Sequence, residues 1–198
     1  MRLVVDWDGT ITVRDSLVQV IHEFGDPALL AELEPRVGVD LTLHEEIALE
    51  FRAITTPLDE VVAWVVEHVE VRPGLHELAA LEPLVISAGF HELIEPVLER
   101  EGVRLEVLAN RVDVRPDGWV VQFRDEAACA TCGEPCKRGS LAGEPYVYVG
   151  DGYSDRCAAL AADRVFARDT LAAHLDRLGV AYVPFDDLND VAAALAQR

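Results

Sequence analysis

Short, mostly apolar runs recur along this chain, and several stop at an acid, a serine or a glycine. The first is Arg2-Leu3-Val4-Val5-Asp6, and others follow at Leu84–Ser87, Leu105–Ala109, Tyr146–Gly150 and Val165–Ala167. Runs this short without polar alternation mark strands buried on both faces, the condition of a parallel sheet. Helical patterns separate them at Leu75–Leu81, Glu92–Glu101, Arg156–Ala162, Leu171–Leu178 and Leu188–Ala196, the last two flanking Tyr182–Phe185. Strand–helix alternation with right-handed crossovers predicts an α/β fold with a doubly wound, Rossmann-like parallel sheet.

One stretch breaks the rhythm. From Asp15 to Val71, apolar residues such as Leu17, Val20, Ile21 and Phe24 recur at helical spacing, and strand signals are almost absent. The sequence therefore predicts a helical insertion over 15–72, ended by Arg72-Pro73-Gly74, within a core made of 1–14 and 73–198. A second irregularity, at about 111–137, holds a hairpin signal at Pro116-Asp117-Gly118 and then a cysteine-rich loop.

Charge narrows the function. A formal net charge of −19 leaves no basic patch to release counterions, so neither nucleic acid nor an acidic membrane is an expected partner. No apolar run approaches the roughly 20 residues of a membrane span. The first run lacks the length and cleavage site of a secretory signal, and the expected location is cytoplasmic. An anionic substrate would approach against a repulsive field. A phosphate site here therefore requires local positive charge from a metal, a lysine or helix N-termini. The chain has sixteen arginines and a single lysine, Lys137. An ammonium is a compact point charge where a guanidinium is a broad fork.

In an open parallel sheet, ligands gather beyond the carboxyl ends of the strands. Asp6-Trp7-Asp8-Gly9-Thr10 follows the first strand, Ser87-Ala88-Gly89 the second, and Asp151-Gly152-Tyr153-Ser154-Asp155 the Tyr146–Gly150 strand. Lys137 begins the helix before that last strand. Mg²⁺ takes one or two carboxylates with phosphate and water, and Asp6, Asp151 and the backbone carbonyl of Asp8 can supply protein oxygens. The Asp6 carboxylate can attack phosphorus to give an aspartyl-phosphate. Asp8 is close enough to protonate the leaving oxygen and later to activate water. Ser87 and the amides after it can hold phosphoryl oxygens, while Lys137 neutralises the growing charge. Taken singly, an acid at a strand end is usually a turn residue or a helix cap. Their joint order along one rim is what points to catalysis.

These segments resemble the four motifs of the haloacid dehalogenase superfamily, and the resemblance covers essentially the whole chain. The insertion resembles the type 1 cap of subfamily IB, the phosphoserine phosphatase branch. Cys129-x2-Cys132-x3-Cys136-Lys137 and Val165-Phe166-Ala167-Arg168-Asp169 resemble the methionine-salvage branch, whose substrate is 2-hydroxy-3-keto-5-methylthiopentenyl-1-phosphate. The resemblance implies Asp6 as nucleophile, Asp8 as acid and base, and Ser87 and Lys137 as phosphate binders. It implies Asp6, Asp8, Asp151 and Asp155 around Mg²⁺. Thr10, Asp15, Arg52, Ala88, Gly89 and Ser154 are further phosphate- or substrate-binding candidates.

Phosphoserine phosphatases carry Glu where Asp15 stands and Asn where Ser154 stands, and they grip the substrate carboxylate with a cap arginine. Arg52 is the nearest counterpart, although its distance to Pro57 differs. Asp8 argues against the dehalogenases, and a cap without lysine argues against the phosphonatases. The expected activity is thus hydrolysis of a small phosphorylated metabolite, such as an enol or sugar phosphate. Phosphoserine hydrolysis is the alternative; phosphotransfer to another acceptor and non-catalytic binding rank below it. Monomer and homodimer both stay open.

Three of the four cysteines fall close together, and Cys129, Cys132, Cys136 and Cys157 are candidate zinc ligands. Only one CxxC pair is present, and Cys157 is expected within a core helix. Reduced thiols near the site are the competing expectation.

Overall fold

A computed structural model describes residues 1–141 and 143–196. Seven strands form its sheet: β1 (Arg2–Val5), β2 (Leu84–Phe90), β3 (Glu106–Arg115), β4 (Gly118–Gln122), β5 (Tyr146–Gly150), β6 (Arg164–Ala167) and β7 (Val183–Pro184). Their order is β4-β3-β2-β1-β5-β6-β7. The chain lays strands outward from β1 through β2 and β3, then returns to place β5 on the other side of β1. Both neighbours run parallel to β1, and β3–β4 is the antiparallel pair. The strand order reverses at β1, so the carboxyl ends of β1, β2 and β5 surround the crevice that such a reversal opens.

The missing polar alternation has a direct cause. Leu3 and Val5 face one apolar core, and Val4 faces a second on the opposite side of the sheet. Helices α5 (Leu75–Ala79), α6 (His91–Arg100) and α9 (Leu188–Ala196) contribute to the first core. The second is closed by α7 (Arg156–Ala159) and α8 (Asp169–Leu178).

Between β1 and α5 run four more α-helices and no strand: α1 (Ser16–Phe24), α2 (Pro27–Leu33), α3 (Leu43–Arg52) and α4 (Leu58–His68). Side-chain oxygens start the first three. Asp15 accepts from the Val18 amide at 3.0 Å, and Asp26 accepts from Ala28 and Leu29. Thr42 and Glu45 cap each other reciprocally at α3. The two ends of this segment are sewn together by the amides of Val13 and Arg72, which donate to Glu70 and Ile11.

Arg72 completes the seam. Only 7% exposed, its guanidinium donates to the carbonyls of Gly9, Thr10 and Asp186 at 2.9, 3.0 and 3.1 Å. It thereby fixes the turn that follows β1. Arg72→Met keeps most of the apolar stem but strands these carbonyls, and about 3 kcal/mol of stability is expected to go with them. Chemical denaturation of the purified variant measures the loss.

The structure differs from expectation at the hairpin. Leu105–Ala109 and the first hairpin arm form one strand, β3, which runs on past the end of β2 and carries β4 onto α3. Trp119 donates its amide to Ile54 at 3.1 Å and its indole N–H to Thr56 at 3.0 Å. Gly118 has a φ of +125° and lies against the backbone of Arg52, where no side chain would fit.

Candidate active site

Beyond β1 the chain makes one wide turn, Trp7–Ile11, closed by the Thr12 amide donating to the Trp7 carbonyl at 3.0 Å. Asp8 within it is extended and Gly9 is left-handed at φ +71°. A Cβ on Gly9 would also run into the Asp151 carboxylate, so glycine is required on both counts. The turn sends Asp6 and Asp8 to one rim and folds Thr10 beneath them. There the Thr10 hydroxyl donates to Asp151 Oδ1 at 2.8 Å.

Lys137 stands at the centre, 4% exposed. Its ammonium contacts Asp6 Oδ1 at 2.5 Å and Asp155 Oδ1 at 2.7 Å. The Tyr148 hydroxyl donates to the same Asp155 oxygen at 2.7 Å. Asp155 Oδ2 accepts the amides of Asp151 and Gly152, both at 2.9 Å. Burial opposes ionising Asp155, but Lys137 and these donors together hold its carboxyl below the usual carboxylate range. Asp6 goes the other way: burial, then the charge of Asp155, push it well above that range against the pull of Lys137. One cation thus faces two carboxylates, with Asp151 close by, and negative charge is left in excess. Burial and then Asp155 raise Asp151 to about 7.

Asp8 is anchored from one side. The amide and hydroxyl of Ser16, at the start of α1, both donate to Oδ1, the amide at 2.9 Å. The Ser87 hydroxyl lies 3.3 Å from Oδ2. Burial lifts the Asp8 carboxyl above its ordinary value.

Over this rim α1, α2 and α3 enclose a crevice of about 530 Å³. Its floor holds Asp6, Asp8 and Asp151. Its roof mixes aliphatic residues, among them Leu17, Ile21, Leu30 and Ile47, with Glu46 and Glu50. Glu50 is 4% exposed, and its Oε1 is buried without a hydrogen-bond partner among the described residues. Burial, then Glu46, raise its carboxyl to about 8. As pH rises, the unfolded chain loses this proton first, near the ordinary value of about 4.3, so stability declines from there to about pH 8. Glu50→Gln lacks that slope. Its melting temperature should match the parent's near pH 4 and exceed it at pH 8 by about 3–5 °C. A pH-independent difference in a melting series contradicts the assignment.

The sequence pattern of haloacid dehalogenase-like hydrolases matches residues 3–160. The chain belongs to that family. Proteins named 2-hydroxy-3-keto-5-methylthiopentenyl-1-phosphate phosphatase are similar to this hydrolase. One from Bacillus cereus is 27% identical over 210 residues, covering 98% of this chain and 95% of the relative. One from Bacillus mycoides is 28% identical with the same coverage. Phosphoserine phosphatase from T. onnurineus, solved in complex with NDSB-201, superposes with a TM-score of 0.71 at 20% identity, covering 99% and 94% of the two chains. A phosphoserine phosphatase solved as a phospho-aspartyl intermediate analogue gives 0.70 at 17% identity, covering 97% of each. At these identities the solved structures speak for the fold.

The donor set suits a hard divalent cation. Side-chain oxygens of Asp6, Asp151 and Asp155 lie within 4.8 Å of one another. Among the described residues, Oδ2 of Asp6 and Oδ2 of Asp151 accept no hydrogen bond, whereas both Asp155 oxygens are fully engaged. Clustered, under-neutralised carboxylate oxygens are what Mg²⁺ binds. Expected as a metal ligand, Asp155 is therefore better placed to hold Lys137 and the turn after β5.

Three other expectations change. Thr10 is fully buried and orients Asp151; it does not face a ligand. Arg52 pairs with Asp117 of the hairpin at 2.5 Å on the exposed surface, outside the crevice lining. The Gly89 amide donates to Ser87 Oγ at 2.8 Å and so shapes the Ser87 turn, while Ala88 lines the crevice with its carbonyl accepting from Asn110 at 2.7 Å. Asp15 and Ser154 do line the crevice. Sequence reasoning missed Ser16, Arg72, Asn110, Tyr148 and the two roof glutamates. Ser16 had a signal, since a hydroxyl at the first position of a helix beside an acidic motif is well placed to donate to it. The others depend on tertiary contacts with no local sequence mark.

Proposed function

We propose that this hydrolase cleaves small phosphomonoesters of cytosolic metabolism, with Asp6 as nucleophile and the α1–α4 segment acting as a cap. The reading rests on one observation: a carboxylate held by Lys137 through Oδ1 keeps Oδ2 unbonded at a crevice floor that it shares with a second acid, Asp8. Oδ2 of Asp6 attacks phosphorus as the ester oxygen departs, giving an aspartyl-phosphate. Asp8, its pKa raised by burial, gives a proton to the departing oxygen through Oδ2 while Ser16 holds Oδ1. It then takes a proton from the water that releases phosphate. Lys137 and Ser87 offset the charge that grows on the equatorial oxygens. When bound, Mg²⁺ would be held by Asp6, Asp151 and the Asp8 carbonyl, and would supply Lewis-acid neutralisation of the phosphate.

The roof supports a leaving group without a carboxylate. Among the described residues, no lysine or arginine of the inserted helices lines the crevice, and Arg156 of the core is the one arginine that does. Glu46 and Glu50, raised to about 7 and about 8, can offer O–H donors and carbonyl acceptors to hydroxyl or keto groups near neutral pH. The aliphatic neighbours suit an apolar tail. An enol or sugar phosphate fits such a wall, and the methylthiopentenyl phosphate of the named relatives is one such compound. A phosphate-release panel over enol phosphates, sugar phosphates and phosphoserine tests this reading. Enol or sugar phosphates are expected to be turned over at least about tenfold more efficiently than phosphoserine. Selective turnover of phosphoserine would reverse the substrate assignment.

A further inference from the structure

Four cysteine sulfurs meet where the loop before Lys137 touches the helix after Asp155. The Sγ atoms of Cys129, Cys132 and Cys136, from the loop, and of Cys157, from α7, all lie within 4.8 Å of one another. Cys129 and Cys157 are 3.8 Å apart. A tetrahedral zinc thiolate with bonds of about 2.3 Å places its sulfurs about 3.8 Å apart along each edge. All four cysteines are free, and a disulfide would require about 2.05 Å.

We propose that these residues form a structural zinc site of four thiolates that fixes the Lys137 loop to α7. It stands apart from the phosphatase reading, since no step of that chemistry passes through it. The local backbone is already shaped for a metal. Cys129-Ala130-Thr131-Cys132-Gly133 is a tight turn in which the Thr131 amide points at Cys129 Sγ, at 3.4 Å. The Gly133 amide closes the turn on the Cys129 carbonyl at 2.8 Å, with Gly133 left-handed at φ +81°. The Cys129 amide donates to Glu134 at 2.9 Å.

The fold gives the metal a task. From Phe123 to Cys136 the chain has neither helix nor strand, and irregular loops of that length are uncommon unless they serve a function. This one ends at Lys137, which must be held beside Asp6. The loop contributes three ligands, and the fourth lies two residues beyond Asp155, the acid that grips Lys137. Zinc thus closes a second tie parallel to the Lys137–Asp155 ion pair, and its binding free energy becomes folding free energy for the loop. Cys157, expected inside a core helix, is half-buried and faces the loop.

Protein purified without chelator from zinc-supplemented medium should hold about one zinc per chain by elemental analysis. Exchange for Co²⁺ should give the sulfur-to-cobalt charge-transfer bands and visible envelope of a tetrahedral tetrathiolate. Cys132→Ser, at the exposed ligand, should cut zinc occupancy at least about tenfold, while Asp151→Asn keeps it. Chelation should raise hydrogen exchange across residues 123–137 more than elsewhere, and re-added zinc should reverse it; this arm serves if the serine variant fails to fold. Less than about a tenth of an equivalent of zinc with no cobalt thiolate spectrum overturns the proposal. So does full zinc retention in folded Cys132→Ser, or a Cys129–Cys157 disulfide found by mass under non-reducing conditions.

Discussion

Asp6→Asn should abolish turnover, by on the order of 10⁴-fold or more, while the protein stays folded. The carboxamide matches the carboxylate in shape, can still accept the Trp7 amide through Oδ1, and leaves Lys137 paired to Asp155 at 2.7 Å. Burial and the repulsion from Asp155 already work against the Asp6 charge, so removing it relieves part of a cost. What disappears is the nucleophilic oxygen. Steady-state phosphate release beside a melting curve separates the two effects. Near-parental turnover in the folded variant would move the nucleophile elsewhere.

Lys137→Met should do damage of two kinds. The new side chain fills much of the same slot, but Asp6 and Asp155, at 3% and 0% exposure, then face each other without their cation. Breaking a buried pair by deleting one partner costs about 3–5 kcal/mol, because the remaining charge is uncompensated. The loss should depend on pH. Without Lys137 the two carboxyls bind protons more readily in the folded state than before, so the penalty relative to the parent shrinks as pH falls through the carboxylate range and is largest at neutral pH and above. Denaturation at pH 5 and pH 8 measures it. Activity should fall with stability, since the charge facing the phosphoryl oxygens is gone. Arginine should not rescue, as its broader fork cannot occupy a slot built for a compact ammonium. A Lys137→Met protein of parental stability at pH 8 would mean that the ion pair at 2.5 Å does not exist in solution.

Much of this architecture could be read from the chain because burial writes itself into composition. Val4 and Val5 face different cores, so β1 has no polar position after Arg2, and the absence of alternation marks the parallel sheet. The inserted helices were legible for the complementary reason: one face packs and the other is wet, giving the period of Leu17, Val20, Ile21 and Phe24. The rim acids follow from topology, since a strand's carboxyl end is a place as well as a residue. What could not be read were contacts whose partners lie far along the chain. Arg52 is drawn to Asp117 because β4 docks on α3, a packing choice with no trace near either residue. Thr10 turns inward because Asp151, 141 positions on, waits for its hydroxyl. Arg72 sits at the foot of the insertion, where its neighbours Pro73 and Gly74 suggested only a chain break, and it turns out to gather carbonyls from two distant segments.

The central claim is that phosphorus becomes bonded to Asp6, and chemical trapping addresses it directly. Asp8→Asn, given an aryl phosphate whose leaving group needs no proton, should still be phosphorylated but release phosphate slowly. After acid quench and tryptic digestion of this variant, the Leu3–Arg14 peptide has Asp6 as its sole carboxylate side chain. It should carry one phosphoryl group that hydroxylamine removes, as it does from an acyl phosphate and not from a threonine ester. A phosphoryl group on any other peptide, or one on this peptide that resists hydroxylamine, would contradict the account.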